Sequence, residues 1–160
     1  MVFNVGDKAV YPAHGVVVIK KIESKKIGGV NQDFYVLQIL SSGATLMVPT
    51  QGCERAGMRG LVSTKEIKKV YSILKEPGKV SHTTWNRRYR EFNDKLSTGS
   101  VGCIAEVLRD LSSLRGDKEL SYGEKKMLDK ALTMLVAEIS AASSRDSLDV
   151  ETELNQMLVH

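Results

Sequence analysis

The hydrophobic pattern of this chain changes its period once, and that change limits the folds open to it. Up to Pro49, apolar residues fall in short β-branched and aromatic runs. These are Lys8-Ala9-Val10-Tyr11-Pro12, Gly15 to Ile22 running on toward Ile27, Phe34 to Leu40, and Thr45 to Val48. Gly28-Gly29 and Ser41-Ser42-Gly43 separate them as turns. Beyond Ser63 the apolar residues recur at helical spacing instead. Ile67, Val70, Tyr71 and Leu74 form one stripe, and Ile104, Val107, Leu108, Leu111 and Leu114 form a second. A third stripe runs through Leu128, Ala131, Leu135, Val136 and Ile139. The prediction is an α+β chain: a small twisted β-sheet or open barrel at the N-terminus, then a compact all-helical domain. The switch falls near residues 60–70, and the expected domains are 1–68 and 69–160.

The helix boundaries carry their own chemistry. Ser63-Thr64-Lys65-Glu66 and Ser121-Tyr122-Gly123-Glu124 both fit the capping box, in which a serine hydroxyl and a glutamate satisfy the first free amides. Glu76-Pro77-Gly78 breaks the first helix, and a second runs from near Thr84 to about Leu96 before Ser97-Thr98-Gly99. Gly116 closes the third helix, Ser143-Ser144 closes the fourth, and Leu148 to Leu158 makes a short acidic last helix. Helices this short need tertiary packing to persist, which implies a bundle.

Charge is uneven. Residues 1–68 carry nine Lys and Arg against five Asp and Glu, residues 69–130 carry thirteen against nine, and residues 131–160 one against five. The net charge of +4 therefore conceals a more basic body with an acidic tail. Cys53 and Cys103 lie far apart with no CxxC partner, which argues against a structural zinc site and fits a reducing cytosol. Nothing approaches 18 continuous apolar residues, and no basic start leads into an apolar run, so neither a membrane span nor a signal peptide is expected.

Catalysis finds no support. His14, His82 and His160 are scattered, and no HExxH, GxSxG, P-loop or GxGxxG element occurs. The two cysteines read as small core residues. The expectation is no enzyme, no catalytic residue, no cofactor and no metal.

The densest chemistry lies in Trp85-Asn86-Arg87-Arg88-Tyr89-Arg90, which holds the only tryptophan and three arginines in six residues. An apolar ring next to guanidinium groups suits a surface that meets phosphates and opened bases. Helical phasing puts Trp85, Tyr89, Phe92 and Leu96 on one stripe, so spacing alone favours a core residue. Arg87 and Arg90 point away from that stripe, and Arg88 flanks it. A ring in the first helical turn can nevertheless overhang the bundle while Tyr89 and Phe92 are buried behind it. It would then act as a minor-groove wedge, favouring DNA that is already distorted. Lys125 and Lys126, at the start of a later helix, extend the basic face. In the β half, Lys20, Lys21, Lys25 and Lys26 border a strand region, and Met47-Val48-Pro49 ends the last strand. A proline there marks an edge able to take a partner strand, or a lysine-rich edge protected from aggregation.

Phe3 to Gly15 (FNVGDKAVYPAHG), Phe34-Tyr35-Val36-Leu37, Met47-Val48-Pro49, Thr84 to Arg90, Ala105 to Leu111 and Gly123 to Leu128 appear in an order and spacing that resemble the CarD/CdnL family. These are bacterial transcription regulators that bind RNA polymerase. The likeness covers nearly the whole chain and is nearer the stand-alone CdnL type, because no high-mobility-group-like tail follows. It implies a Tudor-like N-terminal domain that binds the polymerase β subunit. It also implies a helical domain that contacts promoter DNA at the upstream edge of the transcription bubble, where a tryptophan wedge stabilises the open complex. Carried over residue by residue, the wedge is Trp85, with Arg87 and Arg88 as its basic neighbours; Arg90, Lys125 and Lys126 complete the expected DNA-binding set. Lys25, Met47 and Pro49 fall at polymerase-contacting positions. Lys25 stands where some members carry arginine, which replaces a bidentate fork by a point charge. Met47 stands where actinobacterial members are basic, which makes this contact more apolar. The implied partners are the polymerase β subunit and promoter DNA, the implied state a monomer, and the implied setting the bacterial cytoplasm. An autonomous nucleic-acid-binding protein, or an interaction module with Trp85 in its core, are the alternatives from other classes.

Overall fold

The structure is a computed structural model that describes residues 3–79, 85–117 and 119–158, without the side chains of Trp85, Gly116 and Asp117. Among the described residues ten elements follow one another: β1 (Lys8–Tyr11), β2 (Gly15–Ile27), β3 (Val30–Ile39), β4 (Thr45–Pro49), β5 (Arg59–Gly60), α1 (Thr64–Lys75), α2 (Trp85–Ser97), α3 (Val101–Asp117), α4 (Tyr122–Ser143) and α5 (Ser147–Met157). All strands precede all helices, as the change of period predicts.

The strands form one antiparallel sheet in the order β4-β3-β2-β1-β5. β2 and β3 continue as a hairpin to the Gly28-Gly29 turn, where both residues have positive φ (59° and 83°) that glycine adopts without strain. β3 therefore begins at Val30, earlier than the Phe34 read from the apolar run. The two-residue β5 escapes sequence reading because so short a strand leaves no pattern. Ala9, Val17, Ile19, Tyr35, Leu37 and Ile39 build the core of this unit with Phe3, Val48, Cys53 and Met58. The Tyr35 hydroxyl accepts a bond from the Phe3 amide at 3.2 Å, and the two rings meet edge to face. Cys53 is buried, as a core residue should be.

The helical unit is organised round α3, which packs against α1, α2 and α4. Ile104, Ala105, Val107, Leu108 and Leu111 are all excluded from solvent. Burial of these apolar side chains is the main force holding the bundle, at about 1.5–3 kcal/mol for each large one. Both predicted capping boxes are formed, Ser63 with Glu66 and Ser121 with Glu124. α4 ends at Ser144 in the left-handed region, and α5 starts from an Asp146 cap.

The chain divides into compact units Met1–Leu61 and Val62–His160, a boundary seven residues before the expected 68. The reason is local. The Val62 amide donates to the buried Glu138 carboxylate of α4 at 2.9 Å, and Ile67, Val70 and Leu74 of α1 enter the helical core. α1 thus belongs wholly to the second unit.

Candidate functional site

Two exposed faces carry the predicted residues, one in each unit. In the sheet, Lys25 pairs with Gln32, Pro49 with Phe34 and Met47 with Val36. Gln32, Phe34 and Val36 alternate along β3 and so lie on one side of the sheet. Lys25, Met47 and Pro49 therefore share a single face, although 24 residues separate the first from the last. Met47 is 38% exposed, Phe34 and Pro49 are half-buried, and Val36 is buried beneath them. The result is an apolar strip with Lys21 and Lys25 along one border.

A bulge makes this arrangement possible. The β2–β3 register shifts between Ile19 and Lys21, which leaves Lys20 as the extra residue. An inserted residue reverses the side-chain alternation beyond it. Lys21, Glu23 and Lys25 consequently join the face of Met47, while Ile22 and Lys26 go to the opposite side. Lys21 and Glu23 are paired at 2.5 Å, and the lysine's hydrogen bond and charge hold the Glu23 carboxyl below its ordinary value. These two, with Val36, Gln38, Thr45 and Met47, line a shallow groove of about 440 Å³. Phe34 and Val36 belong to this face too. Sequence reading missed their role because a run of apolar residues does not show which of them share a side.

In the helical unit, the backbone of Trp85 opens α2, and its side chain lies outside the described residues. The predicted start near Thr84 also falls outside them. Of the stripe that includes Trp85, Phe92 and Leu96 are buried, but Tyr89 is 44% exposed. This corrects the expectation that Tyr89 is buried: the core ends at Phe92, and the first turn of α2 extends past it. Arg87 and Arg90 are exposed, with Arg87 3.4 Å from Glu91 one turn on.

Arg88 departs from its neighbours. Its side chain is 13% exposed and reaches Glu124 of α4, 3% exposed, at 3.6 Å. Glu124 also accepts from the Ser121 amide at 3.1 Å, so one carboxylate caps α4 and receives the guanidinium of α2. The charge of Arg88 thus faces a carboxylate inside the fold, and Arg88 positions the helix that carries Arg87 and Arg90. The pairing brings the first turns of α2 and α4 together. Lys125 and Lys126 flank Glu124 there. Lys125 lies 3.6 Å from Glu119, and the Lys126 ammonium sits 4.7 Å from the centre of the Tyr122 ring, which is 74% exposed. Tyr89 and Tyr122 are thus exposed aromatic members of the basic face, and reading the sequence did not assign them to it.

A charged cavity of about 360 Å³ lies between α1, α2 and α3. Buried Arg109 bonds Asp110 at 2.9 Å and Glu76 at 3.0 Å, and Asp110 accepts from the Lys79 amide at 2.9 Å. Lys95 pairs with Glu106 at 2.8 Å. This network ties the segment after α1 onto α3. Among the described residues, no three His, Cys, Asp or Glu side chains gather to hold a metal ion.

These two faces can be set beside known proteins. Residues 3–62 match the model for the CarD-like/TRCF RID domain, and residues 69–155 match the model for the CarD C-terminal domain. The chain belongs to the CarD/CdnL family. Of its relatives, the Bacillus subtilis (strain 168) protein named "Putative transcription factor YdeB" is 34% identical over 137 residues, covering 86% of this chain and 90% of that one. A solved structure of CdnLNt from Myxococcus xanthus is 41% identical, covering 39% of this chain and 89% of its own, at a TM-score of 0.34. The assignment of this CarD/CdnL member rests on the two family models and on the likeness to YdeB over most of both chains. The first matched region ends at Val62, one residue beyond the join of the two units. Among its described residues no helix is long and apolar enough to cross a membrane.

Proposed function

We propose that this CarD/CdnL protein is a non-enzymatic transcription regulator that joins RNA polymerase to promoter DNA. The sheet face of Lys25, Phe34, Met47 and Pro49 binds the polymerase β subunit. The helical unit meets the DNA at the upstream edge of the bubble, where Trp85 enters the minor groove and Arg87, Arg90, Lys125 and Lys126 approach adjacent phosphates. It acts as a cytoplasmic monomer, and the open complex is the state it stabilises.

The observation that carries this reading is the course of the α2 stripe. Its buried part stops at Phe92, Tyr89 is exposed, and Arg88 is fixed to Glu124. A helix whose first turn overhangs its own core, yet is anchored by an ion pair, offers its N-terminal residues on a rigid support. Rigid presentation suits a wedge, because the few kcal/mol needed to unstack a base step must not be dissipated in ordering the protein. Attachment to polymerase raises the local concentration of DNA, so modest intrinsic affinity suffices.

The polymerase half is tested by pull-down with isolated β subunit. Pro49→Ala and Lys25→Glu are expected to reduce β retention several-fold while the helical unit keeps its circular-dichroism signal. Undiminished retention of both variants would remove the sheet face from the account.

A further inference from the structure

The outer face of α1 is a cationic surface that none of the above uses. Ile67, Val70 and Leu74 turn one side of this helix to the core. At 100° per residue, Lys65, Lys68, Lys69 and Lys75 fall on the opposite side, round Ser72, and all are exposed. Most of this charge is uncompensated. Among the described residues, no carboxylate lies within ion-pair distance of Lys65, Lys68 or Lys69, in contrast to Arg87, Arg88, Lys95 and Lys125, which all have one.

The nearby acids are engaged elsewhere. Glu66 is bonded into the capping box with Ser63, and Glu76 holds Arg109. Glu153 holds Arg145, though it lies near enough to feel Lys75. The positive field of the face is strongest, therefore, along Lys65, Lys68 and Lys69.

We infer that this face of α1 is a second phosphate-binding surface, for the backbone of duplex DNA. From Lys65 to Lys75 it runs about 15 Å along a rigid helix, or about four phosphate steps of one strand. Lysines supply point charges on flexible stems, without the planar fork that reads a base edge, so the contact is indifferent to sequence. Its role is to add Coulombic affinity and to hold register while the α2 end does the shape-dependent work. The inference rests on the proposed DNA-binding role of the helical unit, but it concerns a different helix.

The test is a fluorescence-anisotropy titration of the full chain with a duplex of about 30 base pairs at several salt concentrations. Each phosphate neutralised contributes about −0.9 to the slope of log K against log salt. The triple variant Lys65→Gln, Lys68→Gln, Lys69→Gln is expected to flatten that slope by about 2–3. The triple Lys→Arg variant should keep it, and circular dichroism should show both folded. A Gln triple with the wild-type slope would overturn the inference and leave the Trp85 reading untouched. No duplex binding by the wild-type chain at low salt would also overturn it, whereas the Trp85 reading is judged on polymerase-bound promoter complexes. If a polyglutamate peptide binds more tightly than the duplex and depends on the same lysines, the surface serves an acidic protein and the assignment to DNA falls.

Discussion

Arg88 sits between two solvent-facing arginines on α2 and does a different job. Arg87 meets Glu91 in water, where an i,i+4 pair contributes about 0.3–0.5 kcal/mol. Arg88 meets Glu124 in a nearly dry setting. Removing it takes away the cation that faces the buried Glu124 carboxylate, at a cost of about 2–3 kcal/mol. Arg88→Ala should therefore lower the denaturant midpoint of the helical unit markedly, and Arg87→Ala should leave it within about 0.5 kcal/mol of wild type. Equal midpoints for the two variants would show that burial does not separate them. The sequence makes both residues look alike, because charge and spacing say nothing about a partner on another helix 36 positions away. Tyr89 misleads in the opposite direction: its phase matches Phe92, but a helix can outrun the core it packs on.

At the scale of elements, the capping boxes at Ser63 and Ser121 and the stops at Pro77, Gly99 and Ser144 were readable, since each is complete within four or five residues. The bulge at Lys20 was not. It depends on how β2 and β3 align, and it decides which lysines share a face with Met47. The attachment of α5 was equally hidden. Arg145, in the α4–α5 connection, donates to Glu153 of α5 and to the Tyr71 hydroxyl of α1, so α1 and α5 meet at one guanidinium. The Arg145 hydrogen bond, then that of Tyr71, holds the Glu153 carboxyl below its ordinary 4.5. Burial, then the neighbouring Glu153, pushes the Tyr71 hydroxyl above its ordinary 10.0. A depressed carboxyl stabilises the fold fully above its unfolded value, and the gain disappears as pH falls through the folded one. Glu153→Gln should accordingly flatten the loss of stability below about pH 4.5. About a third of each partner's side chain remains in water, so screening keeps the neutral-pH effect small. Acid unfolding curves of identical shape for variant and wild type would show that this contact does not hold α5.

For the whole molecule, the change from strand to helix period revealed the class of fold and the order of its halves. The family likeness added which residues are expected to interact. Neither could show that Lys25, Met47 and Pro49 converge on one sheet face, or that α2 and α4 are joined at their first turns, because both depend on register and long-range pairing. The proposed division of labour gives attachment to the sheet and DNA to the helices. Its central claim is that Trp85 at the start of α2 supports the open promoter. The direct measurement is the lifetime of polymerase–promoter open complexes after competitor challenge, with saturating wild-type or Trp85→Ala protein and equal β-subunit binding verified. Stacking of one aromatic ring on a base contributes about 1–3 kcal/mol, so Trp85→Ala should shorten the lifetime by about fivefold or more. An unchanged lifetime with polymerase binding intact would contradict the wedge.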